Sequence, residues 1–226
     1  MKHLRSLLTI ALVFTFCFSI VSCKNNQMNE FYVNKNKSAV DLLGRSEYKA
    51  MSYGGYRTLS RDDQPSLSQI KEDLKILSAI GVKIIRTYNL QLDQASNILK
   101  AIKTLKEEGD NFEMYVMLGA WIDCQGAWSQ NQPNHDIEDQ ENNNSEITKA
   151  IALANQYPDI VKIISVGNEA MVHWATSYFV RPAVILKWVS YLQTQKAKGN
   201  LPRSLWITSS DNFASWGGGD AAYHNE

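Results

Sequence analysis

Val161-Lys162-Ile163-Ile164-Ser165-Val166-Gly167-Asn168-Glu169 is an apolar, β-rich stretch that stops abruptly at an Asn-Glu pair. A strand covered by helices on both faces of a parallel sheet reads as a near-continuous hydrophobic run, not an alternating one. The stretch therefore predicts an interior parallel strand with Glu169 at its carboxyl end. Two readings of that glutamate compete. It can complement the positive end of a following helix from the first turn, or it can act as an acid at a rim where strand-end loops gather.

The rest of the chain repeats the pattern. Residues 48–53, 82–88, 112–118, 160–166 and 205–208 read as five strands, each ending in polar or aromatic residues. The first closes on Gly54-Gly55, the second carries Arg86, Tyr88 and Asn89, the third opens onto Trp121 and Asp123, and the last onto Asp211-Asn212. Between them, apolar residues recur at helical spacing. Ile70, Leu74 and Leu77 follow Ser66 and Gln69 at capping-box spacing and precede Gly81, which suits a C′ position. Ile98, Leu99, Ile102 and Leu105 lead to Gly109. Ser145 is expected to cap a third helix with Ile147, Ala150, Ile151 and Ala154 inward, and Leu186, Val189 and Leu192 mark a fourth after Pro182.

Alternating strands and helices imply a parallel sheet whose carboxyl ends point one way, so the polar strand ends converge. A doubly wound sheet would also satisfy this, but no Gly-x-Gly-x-x-Gly fingerprint follows any strand. The expectation is an α/β fold, a (β/α)8 barrel. A complete barrel takes about 250 residues, and the chain is shorter once an export segment is removed. It is therefore expected to break off after about the fifth βα unit, leaving its outer strands as unpaired edges.

Four motifs carry a resemblance. Met51-Ser52-Tyr53-Gly54, Ile85-Arg86-Thr87-Tyr88, Val116-Met117-Leu118-Gly119-Ala120-Trp121 and Val166-Gly167-Asn168-Glu169-Ala170, in that order, resemble glycoside hydrolase family 17 over roughly residues 48–226. That family holds β-1,3-glucanases and glucanosyltransferases on a (β/α)8 barrel. The resemblance implies that Glu169 is the acid/base and that Asn168 binds sugar hydroxyls beside the cleavage point. It also implies a nucleophile after a seventh strand, beyond Glu226. A retaining glycosidase needs two carboxyl groups about 5–5.5 Å apart, and one is identifiable here. Glu226 in its Gly-rich tail is a poor substitute, while Asp123 and Asp211 are expected to contact sugar hydroxyls. Arg86, Tyr53, Tyr88, Trp121 and Trp174 complete the expected substrate site, the aromatic faces stacking on sugar rings. Trp128 and Trp216 are evenly balanced between stacking and packing, whereas Trp188 and Trp206 suit packing.

The amino terminus carries a separate message. Lys2, His3 and Arg5 precede an apolar run over residues 7–20, and Ile20-Val21-Ser22-Cys23 fits a bacterial lipoprotein cleavage box. The run falls short of the roughly 20 apolar residues needed to span a bilayer. Residues 1–23 are thus expected to form the signal, with Cys23 lipidated, residues 24–46 to form a flexible tether and 47–226 the catalytic domain. That places the protein in the bacterial envelope, lipid-anchored, periplasmic or at the cell surface. With Cys17 removed and Cys23 lipidated, Cys124 alone remains and is assigned no role.

Lys plus Arg equals Asp plus Glu at 23 each, which argues against nucleic acid and for a neutral polysaccharide. Residues 119–144, with His135, Asp136 and Glu138, lack the regular ligand spacing of a metal loop and read as a solvated flap. No metal or cofactor is expected, and a complete barrel is expected to stand as a monomer. Two functions stay open: an endo-acting β-1,3-glucanase, whole or in part, and a non-catalytic glucan-binding lipoprotein.

Overall fold

The computed structural model describes residues 37–109 and 111–217. The expected signal, Cys23, most of the tether and Glu226 lie outside them.

Five strands form one sheet in the order β1 (Lys49–Ser52), β2 (Val82–Arg86), β3 (Tyr115–Ala120), β6 (Val161–Asn168), β7 (Trp206–Ser210), and each adjacent pair is parallel. Helices α2 (Leu67–Ala79), α3 (Gln94–Glu108), α4 (Gln140–Gln156) and α5 (Pro182–Ala197) connect them. The interior strands are the apolar ones. Seven of the eight residues of β6 are buried, whereas all four of β1, at the edge, are exposed. The α/β architecture with a parallel sheet thus matches the expectation. Among the described residues the sheet is open, with β1 and β7 as its edges, so a closed barrel is not seen.

Local chemistry fixes the helices. The Ser66 hydroxyl accepts from the Gln69 N–H and the Gln69 side chain accepts from the Ser66 N–H, a reciprocal capping box that starts α2. Ile70 and Leu74 face the core and Gly81 turns the chain into β2 with φ +87°. The core gathers Ile98, Leu99 and Ile102 of α3, Ile147 and Ala150 of α4, and Leu118, Ile164 and Val166 of the sheet. Each buried Leu or Ile contributes about 1.5–3 kcal/mol.

Four local expectations are corrected. Packed structure begins within the span read as tether: α1 (Ala39–Leu42) buries Leu42 against Tyr48, Ile84 and Tyr115. Helix α4 starts at Gln140, capped by Asp139, whose side chain accepts from the Asn142 N–H, ahead of the expected cap at Ser145. The span read as a solvated flap contains an antiparallel hairpin, β4 (Cys124–Gln125) with β5 (Asn134–Glu138). Its short, polar strands carry no apolar alternation. In α5 the buried positions are Ile185, Trp188 and Leu192, while Leu186 is exposed, so the inward face is rotated from the one expected.

Candidate functional site

Loops at the carboxyl ends of β1, β2, β3 and β6 enclose a cleft of about 730 Å³ lined by Tyr88, Trp121, Trp128, Glu169, Trp174 and Tyr178, with Asn168 beside the acid. Backbone geometry positions that acid. Pairing between β6 and β7 slips between Val166 and Asn168, leaving Gly167 as an extra residue with φ +76°. A Cβ at Gly167 would meet the Ala170 Cβ at 2.9 Å and Ile185 Cδ1 at 3.0 Å, so glycine alone fits. Such a bulge re-aims the side chains beyond it. Glu169 then adopts φ +47°, a left-handed conformation unfavourable for a glutamate, and its N–H donates to the Ser210 carbonyl of β7 at 2.9 Å. The strand end thereby turns Glu169 into the cleft. Asn168 stands beside it, its side-chain oxygen accepting from Arg86 at the end of β2.

One wall of the cleft is aromatic. Trp128 stacks on Tyr178 with centroids 5.0 Å apart, and Trp121 lies 5.1 Å from Tyr178. Asp123 sits beneath them, its Oδ1 accepting from the Trp121 indole at 2.5 Å and the Trp128 indole at 3.3 Å. Burial pushes its carboxyl up to about 6, against the pull of the two indole donors. Glu146 of α4 is buried as well: its carboxylate accepts from the Leu90 N–H at 3.0 and 2.9 Å and from the Trp121 N–H at 2.8 Å. Burial raises it to about 7 despite those donors and Lys149.

The hairpin is tied to the loop after β6. His135 stacks on Phe179 at 3.6 Å and Asp136 pairs with Arg181 at 2.9 Å. Glu138 pairs with Lys187 and accepts from the Trp188 indole at 2.7 Å. Its burial would raise the carboxyl, but those donors hold it below its ordinary value.

The expected site residues divide. Glu169, Asn168, Tyr88, Trp121 and Trp174 converge on the cleft. Arg86 reaches it through Asn168, its guanidinium 5.3 Å from the Tyr88 ring. Three expectations are corrected. Tyr53 is buried and turned toward α2, its hydroxyl donating to Asp73 at 2.6 Å, and Tyr56 lines the cleft instead. Asp123 is 3% exposed and serves indoles where a sugar contact was expected. The Asp211 carboxylate is taken up by the Met171 and Asn212 N–H groups, both at 2.8 Å, so it braces the loop after β6. Trp128 lines the cleft, whereas Trp216 lines a separate apolar groove beside α5. Trp188 packs as expected, while Trp206 is 41% exposed on the edge strand. Cys124 is buried, with burial and the nearby Asp123 raising its thiol pKa. Among the described residues, no group of three or more His, Cys, Asp or Glu is placed to hold a metal.

Sequence reasoning missed Tyr178, Asn143 and Glu146. The last two carried a signal: Asn143 and Ile147, and Glu146 and Ala150, are each four residues apart, so both polar residues fall on the inward face of α4.

No family model matches the chain. No curated protein matches it either. Among solved structures, it is similar to the crystal structure of an endo-laminarinase from Formosa Hel1_33_131, with 63% identity and a TM-score of 0.82 over 84% of this chain and 48% of that one. The chain therefore spans about half the length of the solved protein it matches.

Proposed function

We propose that this chain carries the acid/base half of a retaining β-1,3-glucanase of the glycoside hydrolase family 17 type, on a (β/α)8 barrel, acting on laminarin-like glucans. One observation carries the reading: a strand-end glutamate is turned by a bulge and a left-handed backbone into a cleft with one wall of indole and phenol. Similarity to an endo-laminarinase supports the substrate class. Glu169 donates a proton to the leaving glucosidic oxygen, and Asn168, oriented by Arg86, meets the sugar hydroxyls beside it. The attacking carboxylate comes from part of the barrel outside the described residues.

A second reading is favoured by a specific fact: Glu169 is the one carboxylate lining the cleft among the described residues. On that reading the protein grips glucan without cutting it. Incubation of the purified chain with laminarin, following reducing ends, together with calorimetric titration of laminarihexaose, separates the two. The proposal expects binding with no measurable hydrolysis by this chain, and reducing ends once the complementary half of the related laminarinase is supplied. Continued inactivity of that mixture would favour the binder, and failure to bind laminarihexaose would remove both readings. The proposed cellular site is the bacterial envelope, through lipid on Cys23. Palmitate labelling tests it: equal labelling of the parent and Cys23→Ser chains rules the anchor out.

A further inference from the structure

Stacking on Tyr178 is not all that holds the aromatic wall. Trp128 is 62% exposed, and an exposed ring has many orientations to lose before it can offer one face to a sugar. The groups that narrow them lie behind the wall. Asn143 and Glu146 of α4 are 1% and 2% exposed and reach the segment just past β3. The Asn143 side chain accepts from the Asp123 N–H at 2.8 Å and donates to the Asp123 carbonyl at 3.0 Å, while Glu146 accepts from the Trp121 N–H. Asp123 has its backbone pinned on both sides, and its carboxylate receives both indoles.

We propose that Asp123, backed by Asn143 and Glu146, is a positioning residue that fixes the Trp121 and Trp128 indole planes as a preformed face for β-glucan rings. This deepens the β-glucan reading and rests on it for the identity of the ligand. A carboxylate accepting two indole N–H groups makes charge-assisted bonds about twice as strong as neutral ones, so the arrangement depends on the charge of Asp123. Facing that carboxylate are Asp139, the cap of α4, Glu146 of α4, the Tyr178 phenol from the loop after β6 and the neighbouring Cys124 thiol. Its pKa of about 6 places the loss of charge within the range where binding can be measured.

The test uses the full chain, laminarihexaose titration and near-ultraviolet circular dichroism, which reads the coupled indole and phenol rings. Asp123→Ala is expected to weaken binding about tenfold and to collapse the aromatic bands. Asp123→Asn keeps an acceptor oxygen without the charge, so at pH 8 it should retain most of the aromatic bands but bind about fivefold more weakly, as the protonated wild type does. Wild-type affinity should fall about fivefold from pH 8 to pH 5, and in Asp123→Asn that slope should shrink to the part carried by Glu146, which titrates at about 7. Trp128→Phe, at an exposed position, keeps a ring face and deletes a donor, so it reports even where Asp123→Ala does not fold; it should weaken binding about threefold. Wild-type affinity and unchanged aromatic bands in Asp123→Ala, or wild-type affinity in Trp128→Phe where the former does not fold, overturn the proposal. Should the wild type leave laminarihexaose unbound, the glucan reading fails, and the aromatic bands of the variants still decide whether Asp123 positions the wall.

Discussion

The carboxyl ends of β3 and β6, neighbours in the sheet, border one cleft and are fixed by different means. At β6 the backbone does the positioning: an extra glycine in the ladder and a left-handed glutamate leave Glu169 little choice of direction. At β3 the backbone leaves the strand without any such distortion, and buried side chains of α4 hold Trp121 and Asp123 just past its end. A reacting group must be placed to within fractions of an ångström, and a strained backbone whose alternatives clash can do that. A binding face needs orientation over several rings, which a set of shared acceptors supplies. The acid is thus aimed by its own strand end, whereas the wall, where Trp128 is also left-handed at φ +58°, is held by buried carboxylates as well.

The contrast is broken most sharply at the acid. In the proposed barrel, assembled with its complementary part, Glu169→Gln should cut laminarin turnover by about 10²–10⁴ and leave laminarihexaose affinity almost unchanged. Reducing-end assays paired with calorimetry measure both, and retention of most activity would remove Glu169 from its role. Next in size is the bulge itself. Gly167→Ala places a methyl against Ala170 and Ile185 at a positive φ, and should lower unfolding stability by about 2–4 kcal/mol in urea melts. A loss under about 0.5 kcal/mol would mean that β6 relaxes easily and that its geometry is not what aims the acid.

The smallest effect sharpens the β3 side. Burial raises the Glu146 carboxyl from its ordinary 4.5 to about 7, so the folded protein keeps a proton that the unfolded chain releases. Its contribution to stability is full below pH 4.5, shrinks as pH rises, and is lost above about 7. Glu146→Gln removes this titration. The stability advantage of wild type over the variant should therefore narrow between pH 5 and pH 8, by about 1–3 kcal/mol. Parallel stability curves for the two proteins across that range would show that Glu146 does not titrate there.

The same contrast explains how much the sequence disclosed. Strand β6 announced itself because burial on both faces demands an unbroken apolar run, and α2 because Ser66 and Gln69 stand at capping spacing. Glu169 was legible from its place at the end of that run. The wall was less so. Trp121 and Trp174 could be placed past strand ends, but the direction of Tyr53, toward Asp73 and away from the cleft, depends on a partner in α2 that no local pattern encodes. Asp123 and Asp211 were placed at the right rim, but their protein partners were not legible, because an acidic residue at a strand end looks alike whether it meets a sugar, an indole or a backbone amide. The start of α4 was obscured by Gln140-Glu141-Asn142-Asn143-Asn144, where asparagine favours caps over helix interiors.

The hydrogen bond from the Glu169 amide to the Ser210 carbonyl makes the acid a gauge of its neighbour. Strand β7 is an edge among the described residues, and edges open more readily than the strands inside a sheet. Whenever β7 peels away, the Glu169 amide loses its acceptor and can trade its proton with solvent. Deuterium uptake at that amide would thus track the docking of β7, and its slowing on pairing with further strands would report, without substrate, that the acid had been locked in place.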